Sequence, residues 1–277
     1  MTHPFLEDAY AKLGRAAKHL HDLKALCAEY SIGEPEGLAA QFEPQVPEEG
    51  NRPGVTVRVT LQTQPSPSIS LIAGDVIQNT RSALDHLANV IVIRNRGIPT
   101  HKTQFPIFTD RLGFQGGIRK VEFEPQAAVL ANTMVERLQP YHRVDDPTLH
   151  PFAILQELSN IDKHRRLHVV GGYAGDIDVT VGTRFFTLRV AQRAGGLAEH
   201  GTLVAFVPAE IAPSVADVKA EMRHSIQVGL KEVVKGWEAP LDELLDDLLN
   251  FMREMVIDRF CRRVFRATPP PANVFGL

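Results

Sequence analysis

The stretch GDVIQNTRSALDHL, residues 74–87, decides how this chain is read. On a helical wheel of 100° per residue, one arc holds Val76, Ile77, Ala83, Leu84, Leu87, Val90 and Ile91. The other arc holds Asp75, Gln78, Asn79, Arg81, Ser82, Asp85, His86 and Asn89. Within it, Asp75, Asn79, Ser82, His86 and Asn89 form one stripe, with Gln78, Arg81 and Asp85 as a second stripe beside it. Ordinary solvated helix faces favour Lys and Glu, which are good helix formers, and this face contains neither. Asn, Ser and Asp are mediocre helix formers, so their concentration in mid-helix points to a geometric task. The segment then turns apolar all round at VIVI (90–93), which predicts a helix inside a bundle. Polar groups buried there need hydrogen-bond partners.

A partner surface lies in PFAILQELSNIDKHRR, residues 151–166. Ile154, Leu155, Leu158 and Ile161 make its apolar stripe, and Glu157, Asn160 and His164 lie opposite, with Lys163 adjacent. Asp162 and Arg165 interrupt the apolar arc. An Arg81–Asp162 or Asp85–Arg165 ion pair between the two helices is therefore expected if the polar faces form an internal network.

Working outward, residues 4–30 carry Leu6, Leu13, Leu20 and Cys27 at intervals of seven, a helix-packing seam. Residues 31–53 are rich in Gly, Pro and Glu and read as a loop. VTVRVTLQ (55–62) alternates as a half-buried strand does. Helices are predicted over 68–95, 125–138, 150–165 and 240–265, with Pro151 suited to a first helical turn. Between 167 and 231 the period switches to two, in LHVVGGY, IDVTVG, RFFTLRVAQ, TLVAFVP and SIQVGLKEV, separated by Gly-rich turns. The expectation is a single α+β domain over 1–277: a helical bundle with an antiparallel β-meander inserted before the last helix, joined by strand 55–62.

Composition narrows the function classes. The chain is 44% hydrophobic and 23% charged, enough for a real core, and its formal charge of −3 disfavours a surface that is basic throughout. Cys27 and Cys261 fit no zinc spacing and read as reduced structural thiols. No signal-peptide core or membrane-length apolar run is present, so a cytoplasmic protein without a membrane partner is expected. There is no P-loop, no GxGxxG after a strand and no GxSxG, and no cofactor is expected. His19, His21, His101 and His224 read as surface or loop residues, and RFCRRVFR (259–266) as a basic helix end.

Together, the GD…N-RSALDHL and SNIDKHR stretches resemble a bacterial protein family that shares both helices, uncharacterised in activity. The Arg81-x4-His86 element also resembles the motif of the HEPN superfamily of helical-bundle ribonucleases and toxins. That resemblance implies metal-independent RNA cleavage by a homodimer whose two motifs meet. His86 would move the proton of a ribose 2′-OH or of the leaving oxygen. Arg81 would hold the scissile phosphate. Asp85 or Asn79 would orient them, with Asp75 and Ser82 beside, and Asn160, Lys163 and His164 would support from the second helix. Ser82 stands where HEPN proteins usually have Asn, Asp or His. Arg81 and His86 lie about 140° apart on an ideal helix, so joint action needs a distorted helix or a second subunit.

Other readings stay open. Asp75, His86, Glu157 and His164 could meet as an O/N metal site, although neither ExxH nor HExxH is present. The non-enzyme alternative is a binding or regulatory protein in which the polar helix pair is structural and a strand face with Phe185, Phe186 and Phe206 meets a partner.

Overall fold

The computed structural model describes residues 6–33, 38–45, 53–61, 64–123, 128–167, 169–181, 184–189, 203–211, 214–230 and 240–274. The chain is α+β. The long amphipathic periods become helices α1 (Glu7–Gly33), α2 (Pro67–Arg94), α4 (Val129–Arg137) and α5 (Pro151–His164). A short helix α3 (Arg111–Gly117), unforeseen from sequence, is capped by Asp110. The acidic-to-basic final segment is helical over α6 (Leu241–Asn250), a π-helical stretch (Phe251–Ile257) and α7 (Asp258–Arg263). Ser66 caps α2, and Pro67 opens it where a missing N–H goes unneeded.

The seven-residue seam of α1 is buried as expected: Leu6, Leu13, Leu20 and Cys27 all enter the core. α1 packs along α2 and against α6, and α2 packs on α5. Tyr10, fully buried on α1, donates to Asp258 Oδ1 at 2.8 Å and so ties the first helix to the last. Cys27 and Cys261 are buried free thiols.

The strands depart from the expected meander. β1 (Leu38–Gln45), β2 (Gly54–Leu61) and β5 (Leu203–Pro208) form one antiparallel sheet in the order β1-β2-β5. β3 (Val169–Val181), β4 (Arg184–Arg189) and β6 (Val218–Leu230) form another, β4-β3-β6. Strand 55–62 does pair with a strand of the 167–231 region, but β5 leaves its sequence neighbours to reach it. β1 falls in the stretch read as a loop. Its Pro44 cannot donate to a ladder, and an edge strand tolerates that. Gly171 and Gly172 of the LHVVGGY stretch lie inside the long β3. A side chain at Gly171 would collide with the Tyr30 hydroxyl of α1, so this glycine permits a close approach of strand to helix. The Gly-rich stretch RAGG (193–196), one of the expected turns, and the residues of SIQVGLKEV beyond Leu230 lie outside the described residues.

Candidate functional site

The polar arc of α2 divides into three parts with different fates. The Arg81 side chain is buried, with the residue only 5% exposed. Its Nη1 donates to Asp85 Oδ1 at 2.7 Å, one turn on in the same helix, and its Nη2 donates to the Phe105 carbonyl at 3.1 Å. Asp85 Oδ1 also accepts from the Phe105 amide at 3.0 Å. The pair thus satisfies both backbone groups of one residue in an irregular segment. Burial pulls the Arg81 guanidinium below its ordinary pKa, and Asp85 opposes that pull.

Phe105 is itself 1% exposed and packs edge-on against Phe152 and Phe260, at ring distances of 5.3 and 6.5 Å. A chain passing through a core without helix or sheet must find other partners for its amides. Gln139 completes the set. It is 1% exposed; its Nε2 donates to the Pro106 carbonyl at 2.9 Å, and its Oε1 accepts from the Phe108 amide at 2.9 Å. Residues 105–108 are therefore held by three side chains standing in for a neighbouring strand. Gln139 was not foreseen as a site residue. Its sequence signal is faint: one amide side chain before Pro140, at the end of α4.

The second part of the arc joins α2 to α5. Gln78 Nε2 donates to Asp162 Oδ2 at 3.0 Å and to the Ser159 carbonyl at 3.2 Å. Gly74 makes room for this crossing, since a Cβ there would collide with the Asp162 carboxylate. The expected Arg81–Asp162 and Asp85–Arg165 pairs do not form. Arg81 is drawn instead to a carboxylate one turn away on its own helix, and Asp162 takes an amide partner. Arg165 is exposed at the end of α5.

The third part is the stripe that carries His86. Asp75 is exposed, and Asn79 turns back to the Asp75 carbonyl at 2.8 Å. Ser82, His86 and Asn89 are half-buried. His86 has no side-chain hydrogen bond among the described residues, and the Asn89 Oδ1 is buried without a partner. Asp85 is engaged with Arg81 and Phe105 rather than with His86, so the expected orienting contact is not made. On α5, Asn160 is exposed and accepts from Gln156 at 3.0 Å, while Lys163 and His164 are exposed at the helix end. Among the described residues, no hydrogen bond or ion pair links Arg81, His86, Asn160, Lys163 and His164 to one another. Nor do Asp75, His86, Glu157 and His164 assemble as metal ligands: no cluster of three or more potential ligands exists among the described residues.

His150 caps α5 through its Nδ1, which accepts from the Phe152 amide at 3.2 Å. Its ring meets Phe251 edge-on at 5.6 Å. Burial, helped by the charge of Arg143, pushes its pKa down to about 4, which keeps the ring neutral and Nδ1 available as an acceptor. Among the described residues, no helix is long and apolar enough to cross a membrane. Compared with known proteins, the chain matches no family model, no curated protein and no solved structure.

Proposed function

We propose that this chain is a non-catalytic, cytoplasmic binding or regulatory protein whose helices form a bundle and whose polar α2 face is architectural. One observation carries the reading: the Arg81 guanidinium is buried, with both terminal nitrogens committed to Asp85 and the Phe105 backbone. An arginine that clamps a scissile phosphate has to present its fork to an open cleft. Freeing Arg81 would leave Phe105 without its donor and Asp85 without its cation.

The second reading, a metal-independent HEPN-like ribonuclease acting on RNA as a homodimer, is favoured by His86. It is half-buried and uncommitted, as a proton-transfer group at a subunit interface would be. The deciding experiment incubates wild type and His86→Ala with mixed RNA in EDTA and melts both proteins. The architectural reading expects no cleavage by either. Cleavage by wild type alone, with both proteins equally stable, would overturn it.

A further inference from the structure

The C-terminal ends of α2 and α7 meet, with the Arg94 guanidinium over the Phe265 ring at 5.3 Å. Neither residues 86–109 nor residues 259–277 contain a carboxylate side chain. Six exposed arginines stand on these two helix ends: Arg94, Arg96, Arg259, Arg262, Arg263 and Arg266. Among the described residues, Asp258 is the one carboxylate in ion-pair contact with any of them. It lies 3.7 Å from Arg262 and already accepts from Tyr10. Arginine at a helix C-terminus ordinarily answers the helix dipole. Two such termini together offer only about one negative charge, and Asp258 adds one more. Six guanidinium groups exceed what this end can neutralise by contact.

Backbone geometry singles out two of the six. α2 ends in a Schellman turn: the Gly97 amide donates to the Val92 carbonyl and the Arg96 amide to the Ile93 carbonyl, both at 2.9 Å. The left-handed position of such a turn usually holds glycine, and here it holds Arg96, at φ 61°. α7 ends in a wider turn, closed by the Ala267 amide on the Cys261 carbonyl at 3.0 Å, and there Arg266 sits at φ 52°. Both side chains are exposed and make no hydrogen bond or ion pair among the described residues. A long side chain kept where glycine is the low-cost choice, with no partner in its own chain, points to function rather than to folding.

We propose that this arginine end binds the phosphodiester backbone of a nucleic-acid duplex without reading its bases. The planar fork of arginine matches the oxygens of a phosphate. Phe260 and Phe265 are buried, so neither ring is presented to stack on a base. Hydrogen-bonded turns hold Arg96 and Arg266 at fixed points, which suits a regular row of phosphates more than a fluid lipid surface. Arg94 is held by Phe265 and Arg262 by Asp258. Arg259 touches only the weak acceptor Met255 Sδ, at 3.4 Å. Arg96, Arg259, Arg263 and Arg266 are therefore the four that meet phosphates. The inference is independent of the α2 polar face: its failure would leave the architectural reading standing.

The test is fluorescence anisotropy of a short mixed-sequence DNA duplex titrated with the full chain in EDTA, at salt from about 50 to about 200 mM. DNA lacks the 2′-hydroxyl that the ribonuclease reading requires, so binding is read apart from cleavage. With four phosphates neutralised, log K should fall against log salt with a slope of about −3.6. Arg96→Gly with Arg266→Gly should halve that slope to about −1.8 and weaken binding at least tenfold at the lowest salt. The melting temperature of this variant should be equal or higher, because glycine suits both left-handed positions. Lys18→Gln with Arg166→Gln makes the same charge change elsewhere on the chain and should leave the slope unchanged. A scrambled duplex should bind within about threefold of the first. Vesicles of phosphatidylserine and phosphatidylcholine in equal parts should bind more weakly than the duplex. No duplex binding at the lowest salt, equal slopes in wild type and the glycine variant, the same loss of slope in Lys18→Gln with Arg166→Gln, or tighter binding to the vesicles would each overturn the proposal.

Discussion

The Arg81–Asp85 pair is asymmetric, and that asymmetry makes an ordered prediction. The Arg81 side chain is 7% exposed and that of Asp85 33%. Asp85→Ala leaves a buried cation without its counter-charge and the Phe105 amide without its acceptor. Breaking a buried pair from one side costs about 3–5 kcal/mol. The remaining Phe105 carbonyl contact keeps Arg81 partly satisfied, so about 4 kcal/mol is expected in total. Arg81→Met keeps most of the volume and removes the buried charge. Asp85, one-third exposed, then turns to water, leaving chiefly the Phe105 carbonyl without its donor, at about 1–3 kcal/mol. The carboxylate variant should therefore be the less stable by about 2 kcal/mol. For a chain of this length that is a melting-temperature gap of roughly 4 °C, at about 2 °C per kcal/mol. Paired thermal melts at pH 7, followed by far-ultraviolet circular dichroism, read the order directly. Equal melting temperatures, or a less stable Arg81→Met, would refute the idea that the buried cation dominates the network.

Three further outcomes follow from the same contacts. Gln139→Leu preserves size but strands the Pro106 carbonyl and the Phe108 amide, so urea unfolding should show a loss of about 2–4 kcal/mol. Gly74→Ala would gain about 1 kcal/mol of helix propensity in isolation, yet it collides with the Asp162 carboxylate and should lower the melting temperature; Gly74→Ala with Asp162→Ser should recover most of that loss. The folded pKa of His150, pushed down to about 4 from an ordinary 6.5, means that the unfolded chain takes up a proton first as the pH falls. Its contribution is intact above about pH 6.5 and is lost progressively towards pH 4. The full shift would be about 3 kcal/mol, reduced to roughly 1–2 by the ring's partial exposure. His150→Asn keeps a capping side chain and should flatten urea midpoints measured between pH 7 and pH 4.

Much of the helical layer was legible because its elements are long and their apolar faces periodic. α1, α2 and α5 fall within a few residues of their predicted spans, with Pro151 in the first turn of α5 as expected. The π-helical stretch was not legible, because one extra residue barely disturbs a strong apolar stripe. The close approach at Gly171 was not legible, because a turn glycine and a close-approach glycine look alike in sequence and only the Tyr30 hydroxyl tells them apart. β1 was missed because Pro44 speaks against a central strand but not against an edge. At the site, partners for Arg81 and Asp85 were sought in side chains of α5, where the arc's Gln78 does find one in Asp162. Asp85 and Arg81 in fact serve the backbone of Phe105, and a backbone partner leaves no signature in a sequence. The Arg81–Asp85 spacing of four was visible, and i, i+4 pairing is a common helix contact.

The claim that Arg81 and Asp85 of the α2 polar face clamp the Phe105 backbone is tested most directly by amide hydrogen exchange at Phe105 in the wild-type protein. Asp85 is the acceptor for that amide, and no strand covers it. The account predicts exchange as slow as in the core of α2, governed by large-scale opening, and marked acceleration in Asp85→Ala under conditions where that variant remains folded. Exchange as fast as in the neighbouring irregular residues 98–102 would mean that the clamp is not formed in solution and would contradict the account.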